Sequence, residues 1–320
     1  MGKTAFLFPG QGSQYPGMGK DLAEQYPAAR AVFAEADAAL GFAISKICFE
    51  GPEEVLKQTE NTQPAILTVS TAAARVLEEK GMAPDFVAGH SLGEYTALVA
   101  AGALRFEDAV RLVRSRGRYM QEAVPAGEGA MAAILGLAAA QVEEVCKKAA
   151  AEGGVVSAAN LNSPEQTVIS GNAPAVKRAV ELASASGAKR TVILPVSAPF
   201  HCELMVPAQQ RLEQDLRATA FSQLRCPLYN NVDADAISCG DEARDSLVRQ
   251  VCLPVRWEES VRAMIEAGAN MFVEVGPGRV LSGLLRQIDR SVHCVNVEDA
   301  NTLQTALDKI ARARGETPDN

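Results

Sequence analysis

Asp85-Phe86-Val87-Ala88-Gly89-His90-Ser91-Leu92-Gly93-Glu94 is the stretch on which the fold turns. A short strand over 85–88 runs into two glycines that bracket a serine, and a helical pattern starts at Glu94. Such a strand-to-helix turn is a nucleophile elbow: it pushes Ser91 into a strained, exposed position, and side chains at Gly89 and Gly93 would collide with neighbouring backbone. The helix N-terminus offers free N–H groups to a developing oxyanion, with the Leu92 N–H as the natural first donor. The plainer alternative is a glycine turn with a helix-capping serine, but the strand before and the helix after favour the nucleophile.

Outward from this turn, short strands alternate with longer helical patterns. The spacing predicts a strand over 4–8, helices over 28–40 and 63–79, and a helix over 107–120, a rhythm that is α/β. Between 129 and 197 the order changes: strand 131–135, helix 140–151, strand 155–160, strand 166–170, helix 173–186, strand 189–196. This is βαββαβ, the ferredoxin-like order. Pro125-Ala126-Gly127-Glu128-Gly129 on one side and Pro195 and Pro199 on the other supply turn residues where an insert would join. The expectation is a discontinuous main domain, 1–127 and 198–320, carrying a small domain at 128–197. A strand over 271–275, the turn Gly276-Pro277-Gly278 and a helix over 280–287 resume the α/β pattern, and the polar tail from Ala311 is expected to fray.

Composition narrows the function. The 320 residues carry 31 Lys plus Arg against 39 Asp plus Glu, a formal charge of −8, which speaks against wholesale binding to nucleic acid or an anionic membrane. The longest small-and-apolar run, 130–140, is far short of the ~20 residues that span a bilayer. The apolar stretch after Met1 is too short for a signal-peptide core, and position 6 is not the Ser or Thr of a myristoylation signal. Seven scattered cysteines without a C-x-x-C spacing disfavour a disulfide framework and a zinc site, so a reducing cytoplasm is expected.

A nucleophilic serine needs a base, and the sequence has three histidines. His90 adjoins Ser91, so its ring should point away and pack or hydrogen-bond. His293 lies in an alternating strand-like segment over 291–297 and reads as structural. His201, in the turn after the small domain, is left as the base. Phe8-Pro9-Gly10-Gln11-Gly12-Ser13-Gln14 lacks the lysine and spacing of a phosphate loop, so an oxyanion or amide-donor role for Gln11 fits better. On the 107–120 helix Arg111, Arg114, Arg116 and Arg118 form a cationic cluster. Most such charges are solvated, a buried guanidinium would clamp a carboxylate two-pronged, and these residues alone do not choose among the four.

Together these segments resemble the malonyl-CoA:acyl carrier protein transacylases and the acyltransferase domains of fatty-acid and polyketide synthases. The resemblance runs from Phe8-Pro9-Gly10-Gln11-Gly12 through Gly89-His90-Ser91-Leu92-Gly93 and Arg116-Gly117-Arg118-Tyr119-Met120-Gln121 to Asn160-Leu161-Asn162-Ser163-Pro164. It continues through Ser197-Ala198-Pro199-Phe200-His201, Asn230-Asn231-Val232 and Glu274-Val275-Gly276-Pro277-Gly278. It implies an α/β-hydrolase-like large domain, a ferredoxin-like small domain and an active site in the cleft between them. It also implies roles: Ser91 as acylated nucleophile, His201 as base, Gln11 and the Leu92 N–H at the oxyanion, and Arg116 on the malonyl carboxylate. A main-chain carbonyl at Gln250 would orient the histidine, and Phe200 matches the pattern of malonyl-selecting domains.

The implied substrates are malonyl-CoA and acyl carrier protein, with no cofactor and a monomeric enzyme; length suggests the free-standing bacterial type. A coenzyme A thioester has a good leaving group, so an acid behind the histidine is dispensable. The carrier is acidic in this family, so a protein at −8 needs a local basic patch, for which Lys189, Arg190, Arg286 and Arg290 are the candidates. The rival readings are a serine esterase or thioesterase using water as acceptor, and a silent carrier-binding module of the same fold.

Overall fold

The computed structural model describes residues 2–196 and 198–314, the side chains of 313 and 314 apart. Ser197, the expected last residue of the small domain, lies outside the described residues, as does the tail from 315. The chain opens with β1 (Lys3–Phe8), then α1 (Lys20–Gln25), α2 (Pro27–Leu40), α3 (Ile44–Glu50), α4 (Glu53–Leu56) and α5 (Thr59–Glu79). β2 (Phe86–Gly89), α6 (Gly93–Ala100) and α7 (Phe106–Glu122) complete the first part. The second part is β3 (Gly129–Leu135), α8 (Ala139–Ala151), β4 (Val156–Ser163), β5 (Gln166–Asn172), α9 (Ala173–Ala185) and β6 (Arg190–Ile193). After a short turn of 3-10 helix come α10 (Val206–Ala218), β7 (Leu228–Tyr229), β8 (Ala236–Ile237), α11 (Gly240–Gln250) and α12 (Trp257–Glu266). β9 (Ala269–Val275), α13 (Val280–Ile288), β10 (His293–Val297) and α14 (Ala300–Arg314) close the described chain.

Among the described residues, ten strands form two sheets. The larger has the order β10-β9-β1-β2-β7-β8 and is parallel except where β8 meets β7. β1 lies at its centre and is covered on both faces, so its residues are apolar without alternation. Phe6 and Phe8 pack with Ile66, Val69 and Leu98, whereas Ala5 and Leu7 pack with Trp257, Leu281 and Leu285. Each large side chain so enclosed contributes about 2–3 kcal/mol of apolar burial. The smaller sheet, order β4-β5-β3-β6, is antiparallel and packs its own core of Ile134, Val142, Val145, Ile169 and Val176 beneath α8 and α9. This is a ferredoxin-like unit on an α/β-hydrolase-like sheet. Residues from both parts meet at Val255, whose N–H donates to Ala159 O at 2.8 Å and whose carbonyl accepts from Leu161 N at 2.8 Å.

Three expectations need correction. The helix expected to begin at Gln63 starts at Thr59, with Pro64 inside it. Pro64 has no N–H for the Glu60 carbonyl, and Arg114 Nη1 takes that carbonyl instead at 2.9 Å, so the helix survives its proline. α14 runs past Ala311 to Arg314, and the rest of the tail expected to fray lies outside the described residues. His293, expected to be packed, opens the edge strand β10 and is exposed. Periodicity also missed α1, α3, α10, α11 and α12 and the two-residue strands β7 and β8.

Candidate active site

The elbow between β2 and α6 is held so tightly that glycine is required at two positions. A Cβ on Gly89 would lie 1.9 Å from the Gly93 carbonyl carbon, and one on Gly93 would lie 2.1 Å from Phe8 O. Ser91 between them has φ 51°, a left-handed backbone that a serine adopts only under constraint. The constraint is visible: His90 N–H donates to Phe8 O at 3.0 Å, and Asn231, just after β7, clasps the turn. Its Oδ1 accepts from Ser91 N at 2.7 Å while its Nδ2 donates to Gly89 O at 2.7 Å. Gly93 N–H donates to His90 O and Glu94 N–H to Ser91 O, which leaves the Leu92 N–H as the amide of the elbow that meets no acceptor among the described residues.

Ser91 Oγ lies 2.7 Å from His201 Nε2, across a sequence separation of 110 residues. His201 is itself in the left-handed region, at φ 59°, and is buried. Its Nδ1 is 2.8 Å from the Gln250 backbone carbonyl at the end of α11. A carbonyl only accepts, so the proton is assigned to Nδ1, and Nε2 presents its lone pair to Ser91. Burial first, and then the charge of Arg116, lower the His201 pKa to about 3, so the imidazole is neutral, with its Nε2 lone pair free, throughout the physiological range.

The arginine choice left open by the sequence is decided by burial. Arg118 is exposed, and Arg111 is exposed with its Nε on Ala39 O at 3.1 Å. Arg114 caps the start of α5 through Glu60 and Asn61. Arg116 alone is buried, at 1% exposure. Its Nη1 donates to Gln63 Oε1 at 2.9 Å, and its Nη2 donates to Ser91 Oγ and to Gln250 Oε1, both at 3.0 Å. Gly117 lets α7 come this close, since a Cβ there would stand 2.6 Å from Thr59 O. The buried Arg116 Nε has no hydrogen-bond partner, and no carboxylate reaches ion-pair distance of the guanidinium among the described residues. A buried cation that no ion pair balances favours an anion beside it.

The other candidates surround this centre. Gln11, on the loop after β1, is half-buried with its Nε2 3.4 Å from Thr59 Oγ1. Phe200 is buried in the larger core beside His201. His90 faces away from Ser91, its Nε2 2.8 Å from Asn162 Oδ1 of β4 and its ring 5.5 Å from Trp257. Sequence reasoning missed Gln63, Asn231 and Glu94 as members of the site. Asn231 and Glu94 lay inside stretches already singled out but without a role, whereas Gln63 carried no signal beyond a polar residue on a buried helix face.

The profile of the acyl transferase domain matches residues 5–308. The chain belongs to this acyl transferase family. Among its relatives, the malonyl CoA-acyl carrier protein transacylase of Bacillus subtilis is 51% identical over 310 residues, covering 97% of this chain and 98% of the relative. The solved malonyl CoA-acyl carrier protein transacylase of Coxiella burnetii superposes with a TM-score of 0.94 at 46% identity, over 96% of this chain and 98% of that one. A type II PKS acyl-carrier protein in complex with its malonyl-transacylase contains a chain that matches with a TM-score of 0.93 at 46% identity, over 96% and 99% of the two chains. As an acyl transferase, the chain has an elbow serine, a neutral histidine and a buried arginine within one hydrogen-bonded cluster.

Proposed function

We propose that the protein transfers a malonyl group from malonyl-CoA to the pantetheine thiol of acyl carrier protein through a malonyl-Ser91 ester, supplying fatty acid biosynthesis. The observation that carries this is the buried Arg116, 3.0 Å from the Ser91 hydroxyl. As Ser91 Oγ attacks the thioester carbonyl, its proton passes to His201 Nε2. The oxyanion is received by the Leu92 N–H, with the Gln11 amide on the adjoining loop. When the carbon–sulfur bond breaks, His201 returns the proton to the departing coenzyme A thiolate. The carrier thiol then reverses these steps: it gives its proton to His201, attacks the ester, and Ser91 recovers the proton. The Gln250 carbonyl keeps His201 in the tautomer both halves need.

Arg116 gives the choice of acyl group. A malonyl carboxylate would pair with the guanidinium, whereas acetyl leaves the buried charge unmatched, a difference on the order of a few kcal/mol. Phe200 beside His201 would limit the width available to branched malonyl groups. The carrier docks on Lys189, Arg190, Arg286 and Arg290. Support for this surface is that Lys189 N–H donates to Leu135 O and Arg190, the first residue of β6, pairs with Leu135, while α13 reaches the same end of the small sheet through Ser163 Oγ and Gln287 Oε1, 2.9 Å apart. The enzyme would work as a monomer in the cytoplasm; the support is that all seven cysteines are free, as a reducing compartment keeps them. Among the described residues no helix is long and apolar enough to cross a membrane.

Intact-protein mass spectrometry after brief mixing with malonyl-CoA or acetyl-CoA tests the reading. The expected result is a malonyl adduct that disappears in Ser91→Ala and forms roughly 100-fold more slowly in Arg116→Ala, with acetylation maintained. An adduct indifferent to both substitutions overturns the mechanism, and rapid loss of the adduct without a thiol would point to a hydrolase.

A further inference from the structure

Two glutamates are fully buried among the described residues, and they differ in what they do. Glu274 accepts from Leu281 N, Ser282 N and Ser282 Oγ at 2.6–2.9 Å, and so anchors the first turn of α13. Glu94, one residue into α6, reaches instead into the site. Its Oε2 accepts from Gln250 Nε2 at 2.9 Å and from Asn231 N at 3.0 Å, and its Oε1 lies 3.5 Å from Ser246 Oγ. No step of the proposed transfer uses it.

We propose that Glu94 is a positioning residue for acyl selection: its carboxylate fixes which way the Gln250 amide faces, and through that amide it holds Arg116 for the malonyl carboxylate. This rests on the malonyl-transfer reading above. A carboxylate only accepts hydrogen bonds, so Gln250 must turn its Nε2 toward Glu94. The same Nε2 donates to Ser91 O at 3.0 Å. Gln250 Oε1 is therefore turned to Arg116 Nη2, where it accepts at 3.0 Å. A neutral, donating group at 94 removes the one charged acceptor of the Gln250 Nε2 and leaves Ser91 O and, at 3.3 Å, Asn231 Oδ1 to hold it, so the amide that meets Arg116 is less firmly fixed. His201 is held not by that amide but by the Gln250 backbone carbonyl. Glu94 thus bears most directly on Arg116, and reaches the serine–histidine pair only through the Asn231 N–H and the Gln250 amide.

The charged and titratable groups facing Glu94 are Arg116 of α7, Arg249 of α11 and its own neighbour Tyr95. Arg249 is engaged by Asp233 at 2.6 Å and 2.8 Å, which leaves Arg116 as the partner cation. Burial outweighs that cation and the hydrogen bonds, raising the Glu94 pKa to about 7. Malonyl transfer then depends on ionised Glu94 at a pH where His201 remains neutral.

The experiment measures the rate of Ser91 acylation by malonyl-CoA and by acetyl-CoA from pH 5.5 to 8.5, in wild type and Glu94→Gln, with circular-dichroism melts as a check of folding. In wild type the malonyl rate should fall below a pH near 7, while the acetyl rate stays level. In Glu94→Gln the malonyl rate should drop roughly tenfold or more, acetyl should stay within about threefold, and the malonyl acid limb should vanish. Equal losses for both acyl groups, no loss, or faster malonylation would each overturn the proposal. If the variant does not fold, the wild-type profiles decide: an acid limb shared by both substrates, or present in neither, overturns it. Absence of any malonyl adduct on wild type sinks the underlying transfer reading instead.

Discussion

Ser91 and His201 share a left-handed backbone, at φ 51° and 59°, in residue types that seldom adopt it. Each such residue costs on the order of 1–3 kcal/mol, so the surroundings must hold it there. For Ser91 the holder is Asn231, which grips the elbow on both sides. Asn231→Ala is therefore expected to lower Ser91 acylation by either thioester roughly 10–100-fold, because a small displacement of the nucleophile removes its alignment. Single-turnover kinetics check this, and an unchanged rate would show that the strain is held elsewhere. Glu94 makes a second residue-scale prediction, on stability. Its folded pKa is raised from 4.5 to about 7, so its favourable contribution is complete below the unfolded value and is lost as pH rises through 7. Between pH 4.5 and 8, urea unfolding should show the stability gap between Glu94→Gln and wild type moving in the variant's favour by up to about 3 kcal/mol. A gap that stays constant with pH would place the Glu94 proton outside that window. The chain carries a buried charge that weakens the fold at neutral pH, and the site is where it acts.

At the scale of elements, what the sequence discloses depends on whether an element's buried face is apolar. β1, β2 and the elbow were legible because an apolar strand, two glycines and a serine leave few alternatives. The βαββαβ order of the small sheet was legible for the same reason, although β6 is shorter than its pattern. α11 was not: its buried residues are Gly240, Ala243, Ser246, Leu247 and Gln250, of which two are polar and only Leu247 is a large apolar side chain, so no hydrophobic stripe appears. That polar face is turned to Glu94 and His201, so the helix most closely tied to the chemistry was the one periodicity could not find. Gln250 was reached only through family resemblance. The start of α5 was hidden differently, by a proline whose orphaned carbonyl is satisfied from α7. The elbow makes an element-scale prediction. Gly93→Ala would bring a Cβ to 2.1 Å from the Phe8 carbonyl, and backbone cannot yield as a side-chain tip can. Separation of α6 from β1 should lower stability by at least about 3 kcal/mol, seen as a lower urea midpoint with loss of acylation. Wild-type stability in this variant would mean that the two elements are free to slide.

At the scale of the molecule, the insert explains why residues 110 positions apart form one hydrogen-bonded pair. The chain leaves the large sheet after α7, builds the small sheet, and re-enters at His201 opposite the elbow. β4 keeps the two parts in register through its backbone pairing with Val255 and through Asn162 on His90. The proposed carrier surface lies at one end of that small sheet, where β6 and α13 come together. Charge sharpens the argument: at −8 overall, this chain repels an acidic partner everywhere except where cations are concentrated. Lys189 is partly neutralised by Glu165 at 2.6 Å, so Arg190, Arg286 and Arg290 carry more of the local field than Lys189 does. Reversal of Arg190, Arg286 and Arg290 to glutamate is expected to raise the KM for the carrier roughly 10-fold or more at low salt, with malonyl-CoA acylation of Ser91 unchanged. Lys189→Glu alone should do less than the triple reversal, since it changes one cation that Glu165 already partly neutralises. Raising the ionic strength should shrink the difference between variant and wild type, because exposed charges separated by about 10 Å are largely screened at 0.1 M salt. Stopped-flow transfer from the preformed malonyl-enzyme to carrier isolates this half-reaction. A triple variant that discharges to carrier at the wild-type rate and salt dependence would move the docking surface to another face of the molecule.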